Sequence, residues 1–522
     1  MKRQNKIKHP QSESARQTQF LPPGLKLFII GFLFIAAFGI RLYNINGMPR
    51  NLHPGRPYHS IIVTRAYYFE NSKSIPEWRR EVARASSSNQ PFQEPRVIEH
   101  MAAFVYRITG GEHLWAARTF FSIFWLIGGV ALYVLAKRIS SAEGAMFSLA
   151  FYLFLPYGVS VSRCFQPHPF VIWILIISWL QILRYYEQPS VGRVTIAAAC
   201  SALTLLVYPH TALPIFAAFS VMALYKYGPW KAINLRSLLF AVIALGPVVL
   251  HYVLFARVFI RSYAKISYTP GLLWSSFFWY GWFNQIKNVI GFAAFIGGLL
   301  GIFMFRKKLA KALLTGLWIG YFVYVLIFNY QAATHTYYQI PFIPIVSLSL
   351  APIGTLIMGR LGQTCTRWYR QVPLFAFILL GFFINIHRIQ QKLINPDFDR
   401  QVEIAKEIGE AVGHSTKTIL LTEFHNLPFQ YHGEISGKYW PKSGDFRANI
   451  IRGERIPPAE ERFNTIYLKD SPEYFIVTDF HEFFRQTDLK NFLTQNFSLL
   501  VNNRKCLIFD LRKTARRSAP AH

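Results

Sequence analysis

The 522-residue chain is 52% hydrophobic and only 16% charged, where soluble domains average about a quarter charged. Apolar runs of about twenty residues recur along it, which excludes one large soluble core and points to a polytopic membrane protein. Its net charge of +30 is uneven: the 396 residues before Asp397 hold nine acids, all Glu, whereas the rest holds 17 acids against 18 Lys and Arg. A basic membrane part suits an anionic lipid, a polyprenyl phosphate or phospholipid. Nucleic acid is the weaker partner, because the cations punctuate apolar helices instead of forming one stripe. The four cysteines (Cys164, Cys200, Cys365, Cys506) have neither disulfide nor metal spacing.

In chain order, residues 1–23 form a basic tail (Lys2, Arg3, Lys6, Lys8), and Leu25–Tyr43 reads as an uncleaved signal anchor. Eleven spans follow from hydropathy, near 24–43, 115–136, 143–160, 168–186, 192–208, 211–226, 237–256, 286–305, 309–329, 340–359 and 372–387. With the N-terminus inside, the short connections carrying Lys137–Arg138, Arg184–Arg193, Lys226–Arg236, Arg306–Lys311 and Arg360–Arg370 all become cytoplasmic, as the positive-inside rule requires. The long segments 44–114, 161–167, 257–285, 330–339 and everything after 388 then face the other side, the periplasm of a bacterium.

The first outer loop, 44–114, has helical apolar spacing at Ser60–Glu70 and Val97–Ile108. Each is too short to span, so each is expected to lie along the membrane surface, with SSSNQPFQEP as a flexible connection between them. The membrane domain thus covers 24–394. From 395 to 512 the pattern changes to that of an extracytoplasmic α/β domain. FDRQVEIAKEIGEAVG and FRQTDLKNFLTQNF read as helices, and KTILLTE, PEYFIVTDF and CLIFDL as strands. Residues 513–522 read as a disordered tail.

These parts and four stretches in particular, RPYHSIIVTRAYYFE (56–70), EPRVIEHMAAFVYRITGGEHLWAAR (94–118), FYLFLPYGVSVSRCFQPHPF (151–170) and HTYYQIPFIPI (335–345), resemble the GT-C membrane glycosyltransferases. The likeness is to the bacterial family 39 type, related to protein O-mannosyltransferases and lipid A aminoarabinose transferases. The resemblance implies a polytopic helical GT-C architecture with a C-terminal extracytoplasmic domain, in a bacterial inner membrane. It also implies inverting transfer of a sugar from a polyprenyl-phosphate donor to an extracytoplasmic lipid, glycan or protein. Such chemistry needs a general base beside the acceptor hydroxyl and cations on the phosphate, whose charge grows as the glycosidic bond breaks.

Relatives place an Asp in stretches like RPYHS and FQPHP, and here those positions look to be His59 and His168. No acid occurs at 44–69, 144–186 or 188–396. A neutral imidazole can serve as base or hydrogen-bond donor, so His59, His168 and Glu94 are the catalytic candidates. Glu94 is preferred over Glu99, although a carboxylate opening a helix is equally explained by the helix dipole. Arg56, Arg65, Arg163, Arg257, Arg261 and Lys265 are the candidates for holding phosphate. His335, Tyr337 and Tyr338 are candidates for the donor or acceptor pocket, or for the interfacial aromatic belt. No cofactor is firmly indicated; a divalent metal on His59 and His168, with or without His335, is a third reading without ligand spacing to support it. The loss of both Asp residues keeps a second functional reading open, a catalytically silent relative that binds a lipid-linked sugar.

Overall fold

A computed structural model describes residues 22–48, 55–70, 72, 74–91, 94–255, 269–364, 368–422, 426–451 and 453–514. Arg257, Arg261, Lys265, most of the N-terminal tail and residues 515–522 therefore lie outside the described residues. Each of the eleven apolar stretches is helical. Six single helices are long and apolar enough to cross a bilayer: Pro23–Leu42, Leu114–Ile139, His168–Glu187, Leu235–Phe255, Lys308–Ile327 and Phe342–Leu361. Two further crossings count if each of two bent pairs is one span.

Those pairs correct the expected straight spans at 143–160 and 286–305. Ala142–Phe154 continues into Pro156–Ser162 at a 61° bend, and Ser276–Val289 into Phe292–Met304 at 92°. Both breaks have local causes. Pro156 cannot donate to a helix running through it, yet suits the first turn of the next. Gly291 sits at φ 85°, left-handed backbone that a side chain would strain. Val191–Val207 and Ala212–Tyr227, of 17 and 16 residues, fall below full spanning length and are separated by the short turn Pro209–Thr211.

Close approach of backbones holds the helices together, since lipid supplies no hydrophobic drive between them. On Lys308–Ile327, Gly316 and Gly320 stand four residues apart against Ala212–Tyr227. A Cβ on Gly316 would lie 2.5 Å from the Ala218 Cα, and one on Gly320 would lie 2.4 Å from the Pro214 Cα.

The first loop contains three helices rather than two: Gly55–Glu70, Glu77–Ser88 and Val97–Thr109. The middle one absorbs the serines expected to be a flexible connection, because Val82, Ala83, Ser86 and Ser87 form a buried stripe. Tyr58, Ile61, Ile98, Ala102 and Tyr106 of this loop share one apolar cluster with Phe121, Phe165 and Phe170 of the membrane helices and with Tyr431 near the C-terminus.

The C-terminal part is a small sheet domain. β1 (Thr418–Leu421), β2 (Gly437–Tyr439), β3 (Tyr474–Val477), β4 (Phe497–Asn502) and β5 (Leu507–Thr514) are ordered β2-β1-β3-β5-β4. β1 runs parallel to β2 and β3, with Thr418 opposite Gly437 and Tyr474, while β5 is antiparallel to β3 and β4. The central strands β1, β3 and β5 occupy the three apolar runs read as strands. β2 is too short to leave a pattern, and β4 is half exposed on the sheet edge. The helix expected over FRQTDLKNFLTQNF is interrupted at Gln486, whose side chain accepts from the Trp440 indole (3.0 Å) and donates to the Pro441 carbonyl (2.9 Å).

Candidate functional site

The site is built where the first loop, the membrane helices and the sheet domain meet. Helix Gly55–Glu70 places Arg56 and His59 one turn apart, on one face. The same helix buries Tyr58, Ile61 and Ile62 in the apolar cluster, which fixes its rotation. The chain segment that leads toward it, residues 43–47, has its carbonyls held by two buried arginines. Arg163 donates to the carbonyls of Tyr43 and Asn44, and Arg118 to those of Ile45, Asn46 and Gly47. Arg41 joins this scaffold through Ser162, Ala37 and Leu153.

His168 opens the membrane helix His168–Glu187 directly after Pro167, so the positive end of a 20-residue helix dipole lies beside its ring. The ring meets Tyr208 and Tyr337 at centroid distances of 5.2 and 6.2 Å. It is 2% exposed, and neither ring nitrogen has a hydrogen-bond partner among the described residues.

A cavity of about 820 Å³ brings these groups together. Arg56, His59 and Glu94 come from the first loop; His168, Tyr208, His210, Tyr252, Tyr337 and Tyr338 come from the membrane part. Asn426, Gln430, Lys438 and Tyr439 come from the sheet domain. The volume fits a sugar phosphate, being within the usual range of ligand pockets.

His59 accepts no proton here under ordinary conditions. Burial, and then the neighbouring Arg56 charge, push its imidazole down to about 3, against a smaller opposing effect of its Gln90 hydrogen bond. The Gln90 amide donates to the Ser86 carbonyl, which leaves its oxygen facing His59 Nδ1 at 3.2 Å. Nδ1 therefore carries the hydrogen, and Nε2 is a free lone pair. Arg56 and Glu94 form an ion pair. Burial lowers the Arg56 guanidinium below its ordinary value, with Glu99 acting in the opposite direction.

The other sequence candidates stand elsewhere. Glu99 is buried and accepts from the Ser60 hydroxyl at 2.7 Å. Arg65 pairs with Glu112 at 2.8 Å, lies over the Tyr431 ring and donates to the Tyr431 carbonyl, away from the cavity. Arg163 is consumed by the carbonyl clamp, its guanidinium donating to the Tyr43 and Asn44 carbonyls, and it does not line the cavity. His335 bonds Thr334 Oγ1 through Nδ1 at 2.6 Å and meets the Tyr337 and Tyr338 rings edge to face without lining the cavity. Among the described residues no three His, Cys, Asp or Glu side chains are grouped as metal ligands would be.

Sequence reasoning passed over His210 as a site residue and, on the sheet-domain wall, over Asn426 and Gln430. Lys438 and Tyr439 lie in GEISGKYWP (433–441), a stretch that the sequence offers as an acceptor surface but more readily as structural. His210 was legible only as part of a short break between two spans. Asn426 and Gln430 carry no motif, and the fold alone brings them to the cavity.

The fold and the family comparison agree. A family model described as dolichyl-phosphate-mannose-protein mannosyltransferase matches residues 93–254. The crystal structure of ArnT from Cupriavidus metallidurans bound to undecaprenyl phosphate superposes with a TM-score of 0.59 at 13% identity, covering 96% of this chain and 100% of that one. The chain has the GT-C fold. The apo form of the same ArnT gives 0.55 at 14% identity, covering 92% of this chain and 97% of that one. The Archaeoglobus fulgidus oligosaccharyltransferase tethered with an acceptor peptide gives 0.51 at 11% identity, over 91% and 72% of the two chains. No curated protein sequence matches the chain. The GT-C architecture accounts for the order of parts: a first span, a loop of surface helices, a multi-pass helical domain and a C-terminal domain seated over the cavity.

Proposed function

We propose that this GT-C protein transfers a sugar from a polyprenyl-phosphate donor to a hydroxyl acceptor outside the membrane, with the cavity as the transfer site. In this reading it is a multi-pass protein of a bacterial inner membrane, its N-terminus cytoplasmic and its sheet domain on the opposite face. The acceptor is a lipid, glycan or protein that reaches the site from that face.

The reading rests on one observation above the rest. His168, with two buried ring nitrogens that have no partner among the described residues, shares a cavity wall with the Arg56–Glu94 pair at the positive end of a membrane helix. A buried polar group left unpaired costs about 1–3 kcal/mol, and a substrate hydroxyl would offset that. In the reaction the acceptor oxygen attacks the anomeric carbon, and the bond from that carbon to the phosphate oxygen breaks. The electron pair leaves with the polyprenyl phosphate, and the acceptor proton passes to His168. One displacement inverts the anomeric centre. Arg56 and the helix dipole hold the phosphate as its charge grows. Glu94 orients Arg56, and the His59 Nε2 lone pair accepts from a sugar hydroxyl.

The test is release of undecaprenyl phosphate by purified protein given a lipid-linked sugar and an acceptor extract. His168→Ala is expected to lower turnover by about 10²-fold or more while expression and melting temperature hold. Unchanged turnover would move the chemistry elsewhere.

A further inference from the structure

The charge inventory of the cavity restricts what sugar it can take. Glu94 is the one carboxylate among its described lining residues, and it is already joined to Arg56. The second cation, Lys438, is joined to Asp470, which does not line the cavity. The membrane part adds no acid at all over residues 188–396. Glu423, close in sequence to Asn426, lies outside the described residues.

What remains is neutral. Asn89, Gln90, Asn426 and Gln430 offer amides, and His59 offers an uncharged imidazole. Gln430 is held in a way that limits its chemistry. Its amide nitrogen donates to the Gly437 carbonyl at 2.9 Å, so the oxygen must face the other way, and that oxygen is buried without a donor. Beneath these groups Tyr208, Tyr252, Phe328, Tyr337 and Tyr338 supply ring faces and edges. Rings suit the apolar C–H face of a pyranose, and amides suit its hydroxyls.

We propose that the sugar this cavity accepts is uncharged and hydroxyl-bearing, and not an amino sugar. The inference rests on the donor-lipid reading above. An ammonium brought into this cavity would lose its hydration and meet no unpaired carboxylate among the described lining residues. Such a charge costs several kcal/mol to desolvate when nothing compensates it. A hydroxyl meets acceptors already in place.

The experiment uses the full-length protein in detergent, with melting temperature and equilibrium binding as readouts. Three probes share one lipid: undecaprenyl phosphate, the same lipid carrying a neutral hexose, and the same lipid carrying an amino sugar. Stabilisation by undecaprenyl phosphate alone tests the donor-lipid reading, and its absence would sink that reading irrespective of sugar. Given that binding, the neutral hexosyl lipid is expected to bind at least about tenfold tighter than the aminosugar lipid. Equal or tighter binding of the aminosugar lipid would overturn the inference. Asn426→Asp is the reciprocal test: Asn426 lines the cavity in the first turn of Asn426–Gly433, where a carboxylate is favoured by the helix. It is expected to shift the preference toward the amino sugar by about tenfold, and a folded variant with unaltered preference would also count against the proposal.

Discussion

His59 and Arg65 lie on the same helix and have opposite fates, and the cause is what each one meets. Arg65 finds the Glu112 carboxylate and the Tyr431 ring. His59 finds burial and the Arg56 charge, which hold it neutral down to about 3. The sign of the resulting pH effect follows. With the folded value below the ordinary 6.5, the unfolded chain binds more protons between those two values. The contribution of His59 to stability is therefore full above about pH 6.5 and drains away as pH falls toward 3. Thermal unfolding near pH 7.5 and near pH 4.5 should show the wild type losing more melting temperature on acidification than His59→Gln does. An identical loss in both would mean that His59 is not held neutral. Arg56, His59, Glu94 and His168, which line the cavity, were singled out in the sequence because His59 and His168 stand where the resembling family carries Asp, whereas Asn89 and Gln90 were not. The role of Arg163 was not legible: an arginine beside a proline-rich turn reads the same whether it meets a phosphate or a peptide carbonyl.

Elements were read correctly where periodicity decides them and missed where a single backbone contact does. All eleven apolar stretches are helical, but among the described residues six helices, or eight crossings with the two bent pairs, are long and apolar enough to span. The 61° and 92° bends depend on Pro156 and Gly291, which a hydropathy window averages away. The third surface helix was hidden because its buried stripe is made of serines and small residues. Gly316 and Gly320 belong to the same class of signal, a spacing whose meaning appears only when a partner helix is present. Their importance can be weighed. Replacing a helical glycine by alanine gains up to about 1 kcal/mol of intrinsic propensity, whereas forcing extra volume into a packed contact costs about 1–3 kcal/mol. With the Gly320 Cβ position 2.4 Å from the Pro214 backbone, the clash outweighs the propensity. Gly320→Ala should therefore melt several degrees below wild type in detergent, and a higher melting point would show that these helices do not pack as described.

At the scale of the whole molecule, the sheet domain completes the cavity, so its docking matters to the site. The junction with the first loop is polar: Arg65–Glu112 with Tyr431 donating to Glu112 at 2.6 Å, Arg79–Glu434, and Tyr58 with His432 Nε2 at 2.7 Å. These links differ in weight. Arg79 and Glu434 are part-exposed, where an ion pair contributes about 0–1 kcal/mol. The Glu112 and Arg65 side chains are 13% and 12% exposed, and removing one member of a buried pair costs about 3–5 kcal/mol. Glu112→Ala should expose the 388–397 connection to protease and loosen cavity binding, while Glu434→Ala should leave both near wild type. Equal sensitivity of the two variants would mean that the domain is held by something else. The links that cross this junction were not visible beforehand, since Tyr431–Glu112, Arg79–Glu434 and Tyr58–His432 each pair residues more than 300 positions apart.

The most direct test is a cryo-electron microscopy structure of the full chain in a lipid nanodisc with an undecaprenyl-phosphate-linked neutral hexose. The account predicts phosphate within hydrogen-bond reach of Arg56 at the N-terminal end of the His168–Glu187 helix. The sugar should lie between the His168 ring and the sheet-domain wall at Asn426 and Gln430. A headgroup bound anywhere else, with this cavity filled only by water, would contradict it.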